Sequence, residues 1–125
     1  MGKLNFKECD MIYDSSLINL DIFDNKIVIK YNFNNFTKDF TTLKIILNTI
    51  FIQNLALVFK SKKELYLKLN IRKGEQSFIY RDISFNIIDS IIIPLEELNP
   101  YTSAIDIVIL NSHTSGTIII EKNLE

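Results

Sequence analysis

The sequence predicts a single all-β domain, folded as an antiparallel β-sandwich or a strongly curved sheet. Isoleucine dominates the composition, because the 125 residues include 23 Ile but only 3 Gly, 2 Pro and no Trp. β-Branched side chains of this kind favour strands. Turn residues separate short apolar segments at intervals of about 8–12 residues, as in sandwiches and barrels. The intervals leave no room for the crossover helices that a parallel sheet needs.

Strict alternation of residue types marks the two clearest strands. Between Leu65 and Arg72, every odd-numbered position is Leu or Ile, and the even-numbered positions are polar or aromatic. The segment 26–33 repeats the pattern, with Ile, Tyr or Phe at its odd-numbered positions. A period of two predicts strands with one buried face.

Three further strands are predicted from segments that are apolar on both faces. They are 91–93, which Pro94 ends, Ile105–Leu110 and Thr117–Glu121. Edge strands usually carry Lys, Pro or bulges that prevent pairing with other chains. We therefore expect the last two strands to be central in the sheet or covered by another chain.

Two hairpins are predicted from glycine-containing turns. Asn111–Gly116 is expected to join the last two strands, with Gly116 supplying a positive φ. Lys73–Glu75 is expected to join the 65–72 strand to a strand near Phe78–Arg81. The stretch 40–52 has both helical and strand spacing, and its β-branched residues favour strands. One short helix within 40–52 is the alternative.

The domain is expected to span 3–123, because Met1-Gly2 and Leu124-Glu125 resemble the residues that cloning sites leave. No signal peptide and no apolar run of about 18 residues is visible. The single Cys9 cannot form an intramolecular disulfide and fits a reducing compartment without excluding export. Location therefore stays open between cytoplasmic and secreted. The bias towards Ile, Asn, Lys, Phe and Tyr is typical of an AT-rich genome, such as that of a low-GC bacterium.

No catalytic, metal or cofactor site is predicted, and the protein is not expected to be an enzyme. His113 is the only histidine, and no orienting acid or constrained nucleophile accompanies it. One Cys and one His do not make a zinc site. The acidic neighbours Glu8 and Asp10 would raise the pKa of Cys9. The Asp and Asn residues of 21–25 are expected to form a turn rather than a calcium site.

The charge pattern gives little support to nucleic-acid binding. The net charge is −1, whereas such binding depends on neutralising phosphates. One local cluster is basic, with Lys60, Lys62 and Lys63 close together. We interpret it as a solvated turn.

Two segments offer aromatic and Arg anchors for a partner. One is Tyr31–Phe36, in which three aromatic residues lie among Asn residues. The other is the 65–81 hairpin, whose cross-strand neighbours are expected to adjoin. The predicted partner-binding residues are Tyr31, Phe36, Tyr66, Arg72, Tyr80 and Arg81. Replacing Tyr66 and Arg72 is expected to leave folding nearly unchanged.

The runs Ile45–Ile52 and Asp89–Pro94, together with the size, the Ile/Asn-rich composition and the single Cys, resemble the small OrfX-type accessory proteins of clostridial neurotoxin gene clusters. The resemblance implies a non-enzymatic accessory protein that pairs with larger proteins of the cluster. It also implies a relation to tubular lipid-binding folds.

The leading hypothesis is a non-catalytic β-domain that acts through a protein partner, in a hetero-complex or a homo-oligomer. The first alternative is a lipid or apolar-ligand carrier, with strands that are apolar on both faces lining a groove. The second is a carbohydrate-binding or phage-tail-like sandwich, which rests on fold analogy. Its aromatic and amide groups suit sugar stacking, but the absence of Trp counts against it.

Overall fold

The structure, a computed structural model, describes residues 4–34, 38–47, 55–73, 78–94, 102–111 and 115–124. A 3₁₀ helix, Phe6–Glu8, precedes eight strands: β1 Asp10–Ile12, β2 Ile18–Ile22, β3 Lys26–Asn32, β4 Phe40–Ile46, β5 Leu55–Lys73, β6 Phe78–Pro94, β7 Thr102–Leu110 and β8 Ser115–Leu124. They form one antiparallel sheet in the order β1-β4-β7-β5-β8-β3-β2, and β6 also pairs with β5. The all-β prediction is confirmed. The alternative helix within 40–52 is wrong for residues 40–46, and 48–52 lie outside the described residues.

The sheet bends over itself because β5 and β6 each belong to both of its halves. The first part of β5, up to Ser61, pairs with β8, whereas the part from Leu67 onwards pairs with β7. The pairing of β5 with β6 shifts register between Ser61 and Leu65. Opposite this bulge, Asp89 has a φ of 62°, in the left-handed region that Asp tolerates better than most residues.

A contact between two aromatic rings shows how sharp the bend is. Phe59 pairs with Ile91 on β6, and Phe85 lies six positions earlier on that strand. A straight strand would separate those two positions by about 20 Å. The Phe59 and Phe85 rings are nevertheless 5.0 Å apart. The two halves of the hairpin therefore face each other across the core.

The core lies between the two halves of the sheet. One buried cluster joins the inward side chains of both halves, including Ile27, Ile29, Leu67, Leu69, Ile107, Ile109, Ile118 and Ile120. Each such side chain stabilises the fold by about 1.5–3 kcal/mol relative to an exposed position. β7 lies between β4 and β5, and β8 lies between β3 and β5. The prediction that these two apolar strands are central is confirmed.

The hairpin predicted at Asn111–Gly116 is wrong. β7 and β8 pair with different ends of β5 instead of with each other, so they belong to different halves of the sheet. Gly116 pairs with Tyr31 within the sheet and has no positive φ. A Cβ atom at Gly116 would lie 2.4 Å from the Tyr31 hydroxyl, so close packing requires the glycine. The β5–β6 hairpin is confirmed, although its turn lies outside the described residues.

Replacing Gly116 with Ala is expected to lower the free energy of unfolding by about 1–3 kcal/mol, because overpacking would displace the buried Tyr31 ring. Denaturant unfolding measures the change. The control is Y31F, which removes a hydroxyl that has no hydrogen-bond partner among the described residues. Because an unsatisfied buried hydroxyl costs free energy, Y31F should leave the free energy of unfolding unchanged or raise it. A G116A variant as stable as the parent would contradict this packing.

Candidate functional site

The outward side chains of β4, β7, β5 and β6 form a continuous surface, which we name the front face. Cross-strand pairing aligns these side chains in rows that run across the strands. One row contains Thr42, Val108, Lys68 and Ser84, and the next contains Lys44, Asp106, Asn70 and Asp82. A third row lies on the other side of the Thr42 row. It contains Phe40 and its partner Leu110, and it continues with Tyr66 and its partner Asn86.

Two exposed aromatic rings distinguish the Phe40 row. Phe40 is 54% exposed and Tyr66 is 40% exposed, and Leu110 of β7 lies between their strands. Neighbouring strands are about 4.8 Å apart, so the two backbone positions are separated by about 10 Å. The row therefore presents two exposed aromatic residues on strands that are separated by one intervening strand.

A groove of about 590 Å³ extends from Phe40 towards β1. Exposed Ile12 and Tyr13 line it together with Thr42 and Lys44. The groove combines apolar and aromatic surface with hydroxyl and ammonium donors, which is the composition of many small-molecule sites.

An ion pair lies at the margin of this groove. Lys38 Nζ is 3.2 Å from Asp14 Oδ2. Hydrogen bonds from the Ser16 hydroxyl and backbone amide, and then from Lys38, lower the pKa of Asp14. Asp14 therefore stays ionised into the acid range and continues to hold Lys38 beside the groove.

A partly buried ion pair underlies the polar part of the front face. Arg72 Nε donates a hydrogen bond of 2.8 Å to Asp106 Oδ2, and Asp106 is only 4% exposed. Asp106 Oδ1 and the Oδ1 of its cross-strand neighbour Asn70 are buried, and neither has a hydrogen-bond partner among the described residues. Arg72 therefore neutralises an internal carboxylate and does not project as an anchor for a partner.

The structure describes the side chains of three of the six predicted partner-binding residues, Tyr31, Tyr66 and Arg72. Tyr66 lies exposed on the front face, and Arg72 shares that face but is engaged by Asp106. The prediction for Tyr31 is wrong, because its alternation with Ile27 and Ile29 turns it into the core, where it is 2% exposed and packs edge-on against Phe33. Phe36 lies outside the described residues. Tyr80 and Arg81 belong to β6, but their side chains are outside the description.

Phe40, Tyr13 and Ile12 were not predicted as site residues from the sequence. At the start of β4 the usual arrangement is inverted, because the aromatic Phe40 is exposed and the neighbouring Thr41 is buried. Both residues lie in the stretch whose spacing fitted a helix as well as a strand. Without a settled periodicity, the outward side of Phe40 could not be assigned.

Burial raises the pKa of Cys9 to about 11, with smaller contributions from Glu8 and Asp10; the predicted direction is therefore right, although burial is the main cause. Among the described residues, no three His, Cys, Asp or Glu side chains cluster as metal ligands would. No helix in that part of the chain has the length and apolar character needed to span a membrane. His113 lies outside the described residues.

Replacing Arg72 with Ala is expected to lower the free energy of unfolding by about 1–3 kcal/mol, because Asp106 would remain buried without its charge partner. This expected loss of stability replaces the prediction that substitution of Arg72 would leave folding nearly unchanged. The matched variant Y66A, on the same strand and face, should stay within about 0.5 kcal/mol of the parent. Equal stability of R72A and Y66A in urea unfolding would contradict the role of the ion pair.

Comparison with solved structures finds the same fold in carbohydrate-active proteins. The agarase AgWH50C aligns with 92% of this chain at 12% identity and a TM-score of 0.62, but the chain spans only 24% of the agarase. A variant of the family 29 carbohydrate-binding module CBM29-2, complexed with mannohexaose, has 15% identity and a TM-score of 0.54, with 93% of this chain and 78% of that chain covered.

A low-affinity xylan-binding module, CBM86 from Roseburia intestinalis, has 12% identity and a TM-score of 0.51, with 94% and 96% covered. Neither family models nor curated proteins match the chain. Identities this low show a common fold alone.

Proposed function

We propose that the protein is a non-catalytic module that binds a polysaccharide chain across its front face. The observation that carries the proposal is the pair of exposed rings, Phe40 and Tyr66, on that face. They fall on one row when the register that pairs Leu67 with Ile109 is continued by one residue. Exposed apolar area that is gathered on one face of a domain is typical of a binding surface.

The chemistry of the front face suits a sugar chain. A pyranose ring has an apolar face of C–H groups, which packs against aromatic rings, and an edge of hydroxyl groups, which requires hydrogen bonds. Phe40 and Tyr66 supply the rings. Thr42, Lys68 and Ser84 in the adjoining row supply hydroxyl and ammonium groups. A chain lying along the row would contact both kinds of group at successive sugar units.

The comparisons support this ligand class over the leading hypothesis of a protein partner. Two similar structures are described as binding mannohexaose and xylan, and this chain covers most of their length. Phe and Tyr would take the stacking role, since the chain has no Trp. The lipid-carrier alternative, in which strands that are apolar on both faces would line a groove, gains no support from the comparisons. The inward Ile residues of β7 and β8 are buried in the core.

A protein partner is the second candidate, and β6 is the observation that favours it. Among the described residues, β6 pairs with β5 alone, and Ile79, Ile88 and Ile92 on it are exposed. An apolar edge strand can accept a strand from another chain. The accessory role implied by the resemblance to OrfX-type proteins would use this edge.

The double replacement F40A/Y66A is expected to weaken binding of mannohexaose or xylohexaose by at least about tenfold, which corresponds to about 1.4 kcal/mol. The loss would follow from removal of both stacking surfaces. Isothermal titration calorimetry measures the affinity, and unfolding curves verify that the variant is folded.

The matched control is F23A, which removes an exposed ring beside Lys26, away from the front face. Its affinity for the same oligosaccharide should equal that of the parent. Binding that survives in a folded F40A/Y66A variant, or the absence of binding to any oligosaccharide tested, would contradict the proposal.

A further inference from the structure

A second groove, of about 610 Å³, lies at the bulge in β5, away from the front face. Its lining includes Lys60, Lys62 and Lys63 from β5, Asp89 from β6, and the Gly116–Thr117 segment of β8. The groove occupies the half of the sheet that contains β8 and β3. It therefore gathers the basic cluster that the sequence analysis interpreted as a solvated turn.

The lining of this groove is positively charged, although the chain as a whole is not. Three lysines face one aspartate in the lining, whereas the net charge of the chain is −1. A further lysine, Lys30, is exposed on β3 directly across from Thr117. A concentration of positive charge in a concave surface attracts negatively charged ligands.

The contacts of the three lysines leave part of this charge available. Lys60 Nζ lies 3.1 Å from Glu121, so its charge is largely balanced. Lys63 Nζ donates to the backbone carbonyl of Ser115, a neutral acceptor that fixes the side chain without cancelling its charge. Lys62 is exposed. The ammonium groups of Lys62 and Lys63 therefore outnumber the carboxylate of Asp89 in the lining, and one of the two is held in place.

We infer that this groove binds the carboxylate or sulfate groups of an acidic polysaccharide. Charge complementarity supplies the attraction, and the exposed Thr117 hydroxyl and the aliphatic stems of the lysines supply hydrogen bonding and apolar contact to the sugar rings. The site is separate from the front face and does not depend on the function proposed for that face.

The test compares three polymers at low ionic strength: polygalacturonate, which carries carboxylates, dextran sulfate, which carries sulfates, and neutral dextran. Affinity electrophoresis should show binding to one or both acidic polymers and none to dextran. The K62E variant should bind the acidic polymers about tenfold more weakly, because repulsion replaces attraction at an exposed contact. Added salt should weaken binding by the parent protein.

The matched control is K7E, which changes the net charge equally at an exposed lysine outside the groove lining. Its affinity should stay within about twofold of the parent. Equal losses in K62E and K7E, equal binding of dextran, or binding of neither acidic polysaccharide would overturn the inference. So would equal binding of polyglutamate, a fourth polymer that carries carboxylates on a peptide chain without sugar rings. A failure of mannohexaose to bind would count against the front-face proposal alone. The test of the basic groove uses different polymers and different variants.

Discussion

The bulge between Ser61 and Leu65 is the constraint on which the rest of the structure depends. Three residues of β5, Lys62–Glu64, lie opposite the single residue Ile88 of β6, and the Ser61 hydroxyl donates a hydrogen bond of 2.7 Å to the Lys63 carbonyl. The extra residues let both strands turn sharply while the side chains on each side of the bulge keep the same inward face. One hairpin can therefore belong to both halves of a folded sheet.

Both proposed binding surfaces follow from this bend. Tyr66 comes directly after the bulge and enters the front face, whereas Lys60, Lys62 and Lys63 lie on or before it and line the basic groove. Because one edge of β5 pairs with β8 and then with β7, both isoleucine-rich strands become central. Of the two expectations for these apolar strands, a central place or a cover from another chain, the structure shows the first. The main reason for requiring a protein partner is thereby removed.

Features of the fold that depend on period-two alternation could be predicted from the sequence. Features that depend on which strands pair could not. The inward positions of 65–72 and 26–33, the central places of β7 and β8, and the exposure of Tyr66 all followed from local pattern. β7 and β8 lie in different halves of the sheet, and Gly116 contacts Tyr31. Both features depend on which strands pair, and turn residues do not specify the pairing of strands. Likewise, the sequence predicted Arg72 as a partner-binding residue. In the structure it lies opposite Ala104, and its Nε is 2.8 Å from Asp106 Oδ2.

The most direct test of the central claim is an NMR titration of the ¹⁵N-labelled protein with mannohexaose and with xylohexaose. If the front face binds the sugar chain, the largest amide shift changes should follow its rows, at residues such as Thr42, Val108 and Lys68, and should leave the outward positions of β2 and β3 unchanged. Shift changes confined to β2, β3 and β8, or no saturable change with either oligosaccharide, would contradict the account.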